Sequence, residues 1–194
     1  LLDENRAART ARDLDDAVRK AEKISSDQRQ IAGDVDKLGK GAAAGSPDAA
    51  EANRLTGRQK EMESDVRQLE GQLDRMRRDS QKDHAEASKK MQEAVTSMRE
   101  NRLADRVQAS QRLTQALVQG RVPTDYAKQF ESAITEGVEE MRQKVNEAAG
   151  ASRGEADGKA ASKSLDRARD LVRGQESLAD RMRQRRLGEG AGEK

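Results

Sequence analysis

The chain has no cysteine and no tryptophan, and among its 194 residues are one phenylalanine, one tyrosine, one histidine and two prolines. Each shortage excludes something. Without cysteine there is no disulfide framework, no thiol nucleophile and no thiolate metal site. His84 lies between Asp83 and Ala85 in an apolar-poor stretch. With no second histidine to join it, it is expected to be an exposed residue at a junction rather than a ligand. No stretch approaches 18 consecutive apolar residues, so no segment of this sequence is expected to span a membrane. A basic n-region followed by an apolar h-region is also missing at the N-terminus, so no signal peptide is read there. Leu, Ile, Val and Phe make up about 14% of the residues. That lies below the roughly 20% at which chains become prone to disorder.

What is present argues against disorder. The 38 basic and 36 acidic residues nearly cancel, leaving a formal net charge of +2. Balanced charge with sparse, regularly spaced apolar residues fits long solvated helices better than a polyelectrolyte or an ordinary globule. The fold class expected is all-α: elongated antiparallel hairpins, or a coiled-coil-like bundle of about five helices.

The first helix is predicted over about 3–38. Leu14, Ala17, Ala21, Ile24, Gln28, Ile31, Val35 and Leu38 recur at alternating steps of three and four, with Gln28 the one polar member. Gly39 and Gly41 are expected to stop it. Ser46-Pro47 reads as a restart, with Ser46 as cap and Pro47 opening a helix over 47–80. Its seam is Leu55, Gln59, Met62, Val66, Leu69, Leu73 and Met76. Apolar positions vanish around Asp79 to His84, where a break is expected. A third helix over 85–119 carries two stripes. Ala87, Met91, Ala94, Val95 and Met98 make the first, and Leu103, Val107, Ser110, Leu113 and Leu117 the second. The offset between them resembles a stutter. Gly120 ends that helix. Pro123 begins a fourth over 123–149, with Ala127, Phe130, Ile134, Val138, Met141, Val145 and Ala148 on one face. Residues 1–149 thus read as one helical region, 150–161 as a small-residue linker, 162–187 as a basic helix and 188–194 as a flexible tail.

Helices with such thin stripes must pair to be stable, within the chain or with another chain. Short connectors favour hairpins within it. A start at Leu1 and an end in Gly and Glu suggest a piece of something larger.

Nothing in the sequence assembles a catalytic, cofactor or metal site. Gly-rich phosphate loops, zinc spacings and nucleophile–base sets do not occur. The paired carboxylates Asp15-Asp16 and Glu139-Glu140 read as solvated helix faces, so no enzyme is expected. Tyr126 and Phe130 lie four apart and share a face. They are expected to form a local plug beside the Gly120–Pro123 turn, with Phe130 buried and Tyr126 at its edge. Between 162 and 187, eight basic residues stand against four acidic ones. Arg181, Arg183, Arg185 and Arg186 are candidate anion contacts there. The alternative to a structural module is therefore a phosphate-binding one, on anionic lipid or nucleic acid. No aromatic residue stands nearby to stack on bases, so nucleic acid is not expected and a membrane surface is the contact left open, while a solvated helix face is the first expectation for these residues.

Three stretches carry a resemblance. They are Ser26-Asp27-Gln28-Arg29-Gln30-Ile31-Ala32, Met98-Arg99-Glu100-Asn101-Arg102-Leu103, and the turn from Gln119 through Gly120, Arg121, Val122, Pro123, Thr124, Asp125 and Tyr126 to Glu131. Together, over most of residues 14–187, they resemble a family of unknown function: large bacterial membrane-anchored proteins. Its members have N-terminal transmembrane helices, a long helical region rich in Arg, Gln and Glu, and a Gly/Gln-rich tail. That family's turn usually reads Gly-Arg-Ser-Pro-Glu-Tyr-Ala, so Val122 stands where serine would cap the helix. The resemblance implies a non-enzymatic helical module on the extracytoplasmic side of a membrane-anchored parent, in the bacterial cell envelope. Without it, a cytoplasmic setting is expected. A protein partner or self-association is the expected interaction.

Overall fold

A computed structural model describes residues 2–45, 48–82 and 84–189, with side chains described for 8–171 and 173 within those ranges. The elements are α1 (Leu2–Ala43), α2 (Ala49–Ser80), α3 (Ala85–Glu100), α4 (Leu103–Val118) and α5 (Thr124–Glu189). Among the described residues there is no strand. The chain divides into two compact units, Leu1–Arg153 and Gly154–Lys194.

The first unit is an antiparallel four-helix bundle in which α3 and α4 form one arm. Cross-helix bonds fix the directions, because residue numbers rise along one helix as they fall along its neighbour. Lys23 Nζ meets Asp65 at 2.6 Å and Arg58 meets Asp34 at 2.7 Å between α1 and α2. Arg99 with Glu70 and Gln111 with Glu63 tie α2 to the α3–α4 arm. Ser97 with Glu140 joins that arm to α5, and Arg153 with Asp15 closes α5 onto α1. Short connectors make this up-down-up-down order the natural one.

The core is one continuous cluster along the bundle axis. Leu14, Ile24, Ile31, Val35 and Leu38 of α1 are buried in it, as are Leu55, Met62, Val66, Leu69, Leu73 and Met76 of α2. Met91, Met98, Leu103, Val107 and Leu117 enter from α3 and α4, and Ile134, Val138, Met141 and Val145 from α5. The surface over it is laced with ion pairs. Exposed pairs of this kind contribute roughly 0–1 kcal/mol each, so the apolar strips dominate the energetics.

Several helix ends differ from the sequence expectation. Helix α1 runs through Gly39 and Gly41 to Ala43. Gly39 is there for close approach and not as a stop. A Cβ on it would stand 2.8 Å from Thr124 Oγ1 and 3.0 Å from Thr124 Cβ, where α5 begins. The turn comes later, at Gly45, whose φ is +79°. Ser46 and Pro47 lie outside the described residues. The cap seen is Asp48, whose carboxylate accepts the Glu51 N–H at 2.9 Å. An aspartate at this place satisfies an orphan amide and faces the positive end of the helix dipole.

The predicted helix over 85–119 is divided at Asn101–Arg102. Met98 and Leu103 are both buried, yet five residues would set them about 140° apart on an unbroken helix. Arg102 resolves the conflict by taking φ 48° and ψ 43°, the only positive φ of a non-glycine residue among those described. This turns the next segment so that Leu103 enters the core. It lands over Gly137, where an added Cβ would stand 2.6 Å from Leu103 Cδ2. At the other end of α4, Gly120 has φ +67°. Its N–H donates to Leu117 O at 3.0 Å and the Arg121 N–H to Ala116 O at 2.9 Å. Those two bonds are the Schellman pattern that glycine makes accessible.

Residues 150–161 are helical and not a linker, so the helices expected over 123–149 and 162–187 belong to one element, α5. Gly150, Gly154 and Gly158 each cost about 1 kcal/mol relative to alanine. The alanines among them and the low cost of extending an existing helix offset that. Residues 188–189, expected as tail, are also helical, and 190–194 lie outside the described residues.

Two comparisons test this packing by thermal denaturation. Gly39→Ala is expected to destabilise by about 1–3 kcal/mol, because Thr124 cannot retreat from the helix start it belongs to. Gly33→Ala and Gly57→Ala, with open space at Cβ, are expected to stabilise by about 0.5–1 kcal/mol. At the break, Arg102→Gly is expected to stabilise by about 1 kcal/mol and Arg102→Val to destabilise, because a β-branched residue opposes the left-handed conformation.

Candidate functional site

Midway along the bundle the apolar core is interrupted by a layer of polar side chains drawn from all four arms. Gln28 of α1, Gln59 of α2, Ser110 and Thr114 of α4, and Glu131 of α5 are all buried. Gln28 Nε2 donates to Glu131 Oε2 at 2.8 Å. The Ser110 hydroxyl donates to Glu131 Oε1. Gln59 Nε2 reaches Ser110 Oγ at 2.6 Å and Thr114 Oγ1 at 3.0 Å. Thr135 lies one turn on, its hydroxyl donating to the Glu131 carbonyl at 2.9 Å.

Glu131 is 3% exposed, and no Lys or Arg among the described residues forms an ion pair with its carboxyl. Burial pushes its pKa up. The bonds from Ser110 and Gln28 oppose that shift without cancelling it. Chemically the layer holds one carboxyl, two amides and three hydroxyls, sealed by apolar side chains above and below.

Two members were legible as seam positions, Gln28 and Gln59, and Ser110 as part of a stripe. Glu131 and Thr114 were missed. The sequence reading took the hydrophobic neighbours Phe130 and Leu113 instead, and both of those are only half-buried. Strict alternation of four and three was the available signal. Ala127, Glu131, Ile134, Val138, Met141 and Val145 keep that alternation, as do Leu103, Val107, Ser110, Thr114 and Leu117.

A second polar cluster fastens the surface between α1 and α5. The Glu139 carboxylate accepts from Ser25 Oγ at 2.6 Å, from Arg29 Nη2 at 2.6 Å and from Arg142 Nε at 2.8 Å. The Ser25 bond chiefly, helped by the two arginines, lowers its pKa to about 2. Beside the α3–α4 break, Glu140 is likewise lowered by bonds from Ser97 and Asn101.

His84 is buried at 2% exposure, contrary to the expectation of an exposed junction residue. Its N–H donates to Ser80 O at 2.8 Å and its carbonyl accepts the Ser88 N–H at 2.9 Å. The connector therefore folds back onto the helix ends. With Arg9, Thr10, Asp13, Met76, Asp79 and Ser80, the imidazole lines a cleft of about 420 Å³. The aromatic plug is only partial. Phe130 is half-buried against the core, while Tyr126 is 54% exposed because it points away from it. The side chains of Arg181, Arg183, Arg185 and Arg186 lie outside the described residues.

No group of carboxylates and histidine able to hold a metal ion occurs among the described residues. Nor is any described helix long and apolar enough to cross a membrane. Fold and site together define a class: an all-α antiparallel helical bundle with a polar layer in its core. No protein-family model matches the chain, and no curated protein matches it either.

The Glu139 cluster carries a pH dependence of definite sign. A carboxylate whose folded pKa is depressed adds stability above its unfolded value, and that stability is lost as pH falls toward the folded one. Glu139→Gln is expected to lower the melting temperature at pH 7. The gap to the wild type should close between about pH 4.5 and pH 2, which a series of thermal melts measures.

Proposed function

We propose that this chain is a non-enzymatic structural and interaction module, in which the bundle of residues 2–153 is a stable body and the helix of 154–189 is a pairing segment. One observation carries the reading. Within the second unit, every described side chain from 156 to 171 is exposed, including Leu165 at 53% and Leu171 at 71%. A helix gains most of its stability by covering its apolar strip. Here Leu165, Ala168 and Leu171 follow at three-residue spacing with nothing in their own unit laid over them. The bundle, by contrast, has already hidden its strips, and the polar side chains of its central layer hydrogen-bond to one another.

The charged surface supports a spacer or docking role better than catalysis. The resemblance in the sequence adds that the module belongs to a larger, membrane-anchored bacterial protein whose helical region lies in the cell envelope. Self-pairing of the second unit as a coiled coil is the form of the proposal that the chain alone can test. The basic run near 181–186 keeps anionic lipid as the alternative, with no described side chain to favour it.

Light scattering over a wide concentration range measures the self-pairing directly. The mass is expected to rise from one chain toward two, while Leu165→Glu with Leu171→Glu stays at one. Amides of 155–171 should exchange fast in the dilute monomer and slow on association. A monomer at every concentration whose 155–171 amides are already protected would sink the reading.

A further inference from the structure

The polar layer suggests more than a register device, because its one ionisable member is held without a counter-charge. We propose that Glu131 is carried in the closed bundle as the neutral acid, and that ionisation loosens α5 from α1 and α4. This goes beyond the module reading above and does not depend on it.

The geometry points there from two sides. Glu131 stands at the level where α1, α2, α4 and α5 all contribute, so water cannot reach the carboxyl while the bundle is closed. The groups that meet it are uncharged: Gln28 from α1 and Ser110 from α4, with Gln59 of α2 and Thr114 of α4 behind them. Charged neighbours on those helices look outward. Asp27 pairs with Lys23, Asp34 with Lys37 and Arg58, and Glu63 with Arg67. On α4, Arg106 is half-exposed and Arg112 exposed, and on α5 itself Lys128 reaches toward Asp36. An ionised carboxylate in such a place keeps hydrogen bonds but loses hydration, and burial then favours the protonated form.

The sign follows from linkage. A carboxyl whose folded pKa is raised contributes stability fully below its unfolded value, lost as pH climbs through the raised one. This runs opposite to Glu139, so the test is a difference against Glu131→Gln, which keeps the shape and cannot ionise. Thermal melts of the full chain are expected to show the variant pulling ahead of the wild type by at least about 3 °C between about pH 4 and pH 8. Over the same range, wild-type amides of 124–140 should exchange faster than the intrinsic pH trend, and those of the variant should not. Carbon-13 titration of the Glu131 carboxyl reads the proton itself, and serves if the variant fails to fold. A melting gap that stays constant with pH overturns the proposal. So does a carboxyl titrating at or below the ordinary glutamate value of about 4.3.

Discussion

Four narrow apolar strips facing one axis are the constraint on which the first unit depends. With bulky aliphatic and aromatic residues so scarce, no helix can afford to turn its strip toward solvent. Antiparallel neighbours joined by short turns give every strip two others to cover it. The accommodations at the helix ends follow. Gly39 lets the start of α5 press onto α1, Gly137 receives Leu103, and Arg102 accepts an unfavourable backbone conformation to bring α4 back into phase. In each case local strain or lost propensity of about 1 kcal/mol is outweighed by burying side chains worth about 1.5–3 kcal/mol apiece.

Polar residues on this axis work by exclusion. Gln28, Gln59, Ser110, Thr114 and Glu131 satisfy one another only when the four helices stand at one level. A slip of one turn would set an amide or a carboxyl against leucine or methionine, at a desolvation penalty of about 1–3 kcal/mol for each orphaned group. Apolar strips alone tolerate such slips, because one leucine resembles the next. The layer therefore sets register where the seam sets only proximity. The same enclosure makes Glu131 sensitive to protons, while Glu139, on the surface between two arginines and a serine, responds in the opposite direction.

The two units differ in how far their helices are satisfied. The helices of the first unit bury their strips against one another from Leu14 onward. Described side chains of 156–171 bury nothing, and the large apolar ones among them stay open to solvent. The polar clusters in the bundle lie in its central layer or in hydrogen-bonded and ion-paired contacts between neighbouring helices.

The sequence by itself determined the all-α class and the residues of the seams, because a helix repeats every 3.6 residues and apolar side chains at steps of three and four must share a face. It also marked the positions of Gln28, Gln59 and Ser110. Tertiary structure alone decided which of two adjacent residues faces the axis. Phe130 is the more hydrophobic, yet Glu131 keeps the alternation and is buried; Leu113 yields to Thr114 in the same way. Hydrophobicity at one position is worth less than keeping a whole helix in phase with three neighbours. It also decided that Gly39 sits inside a helix and that His84 is buried. Those outcomes depend on what lies across the gap, and a one-dimensional pattern carries no information about partners distant in the chain.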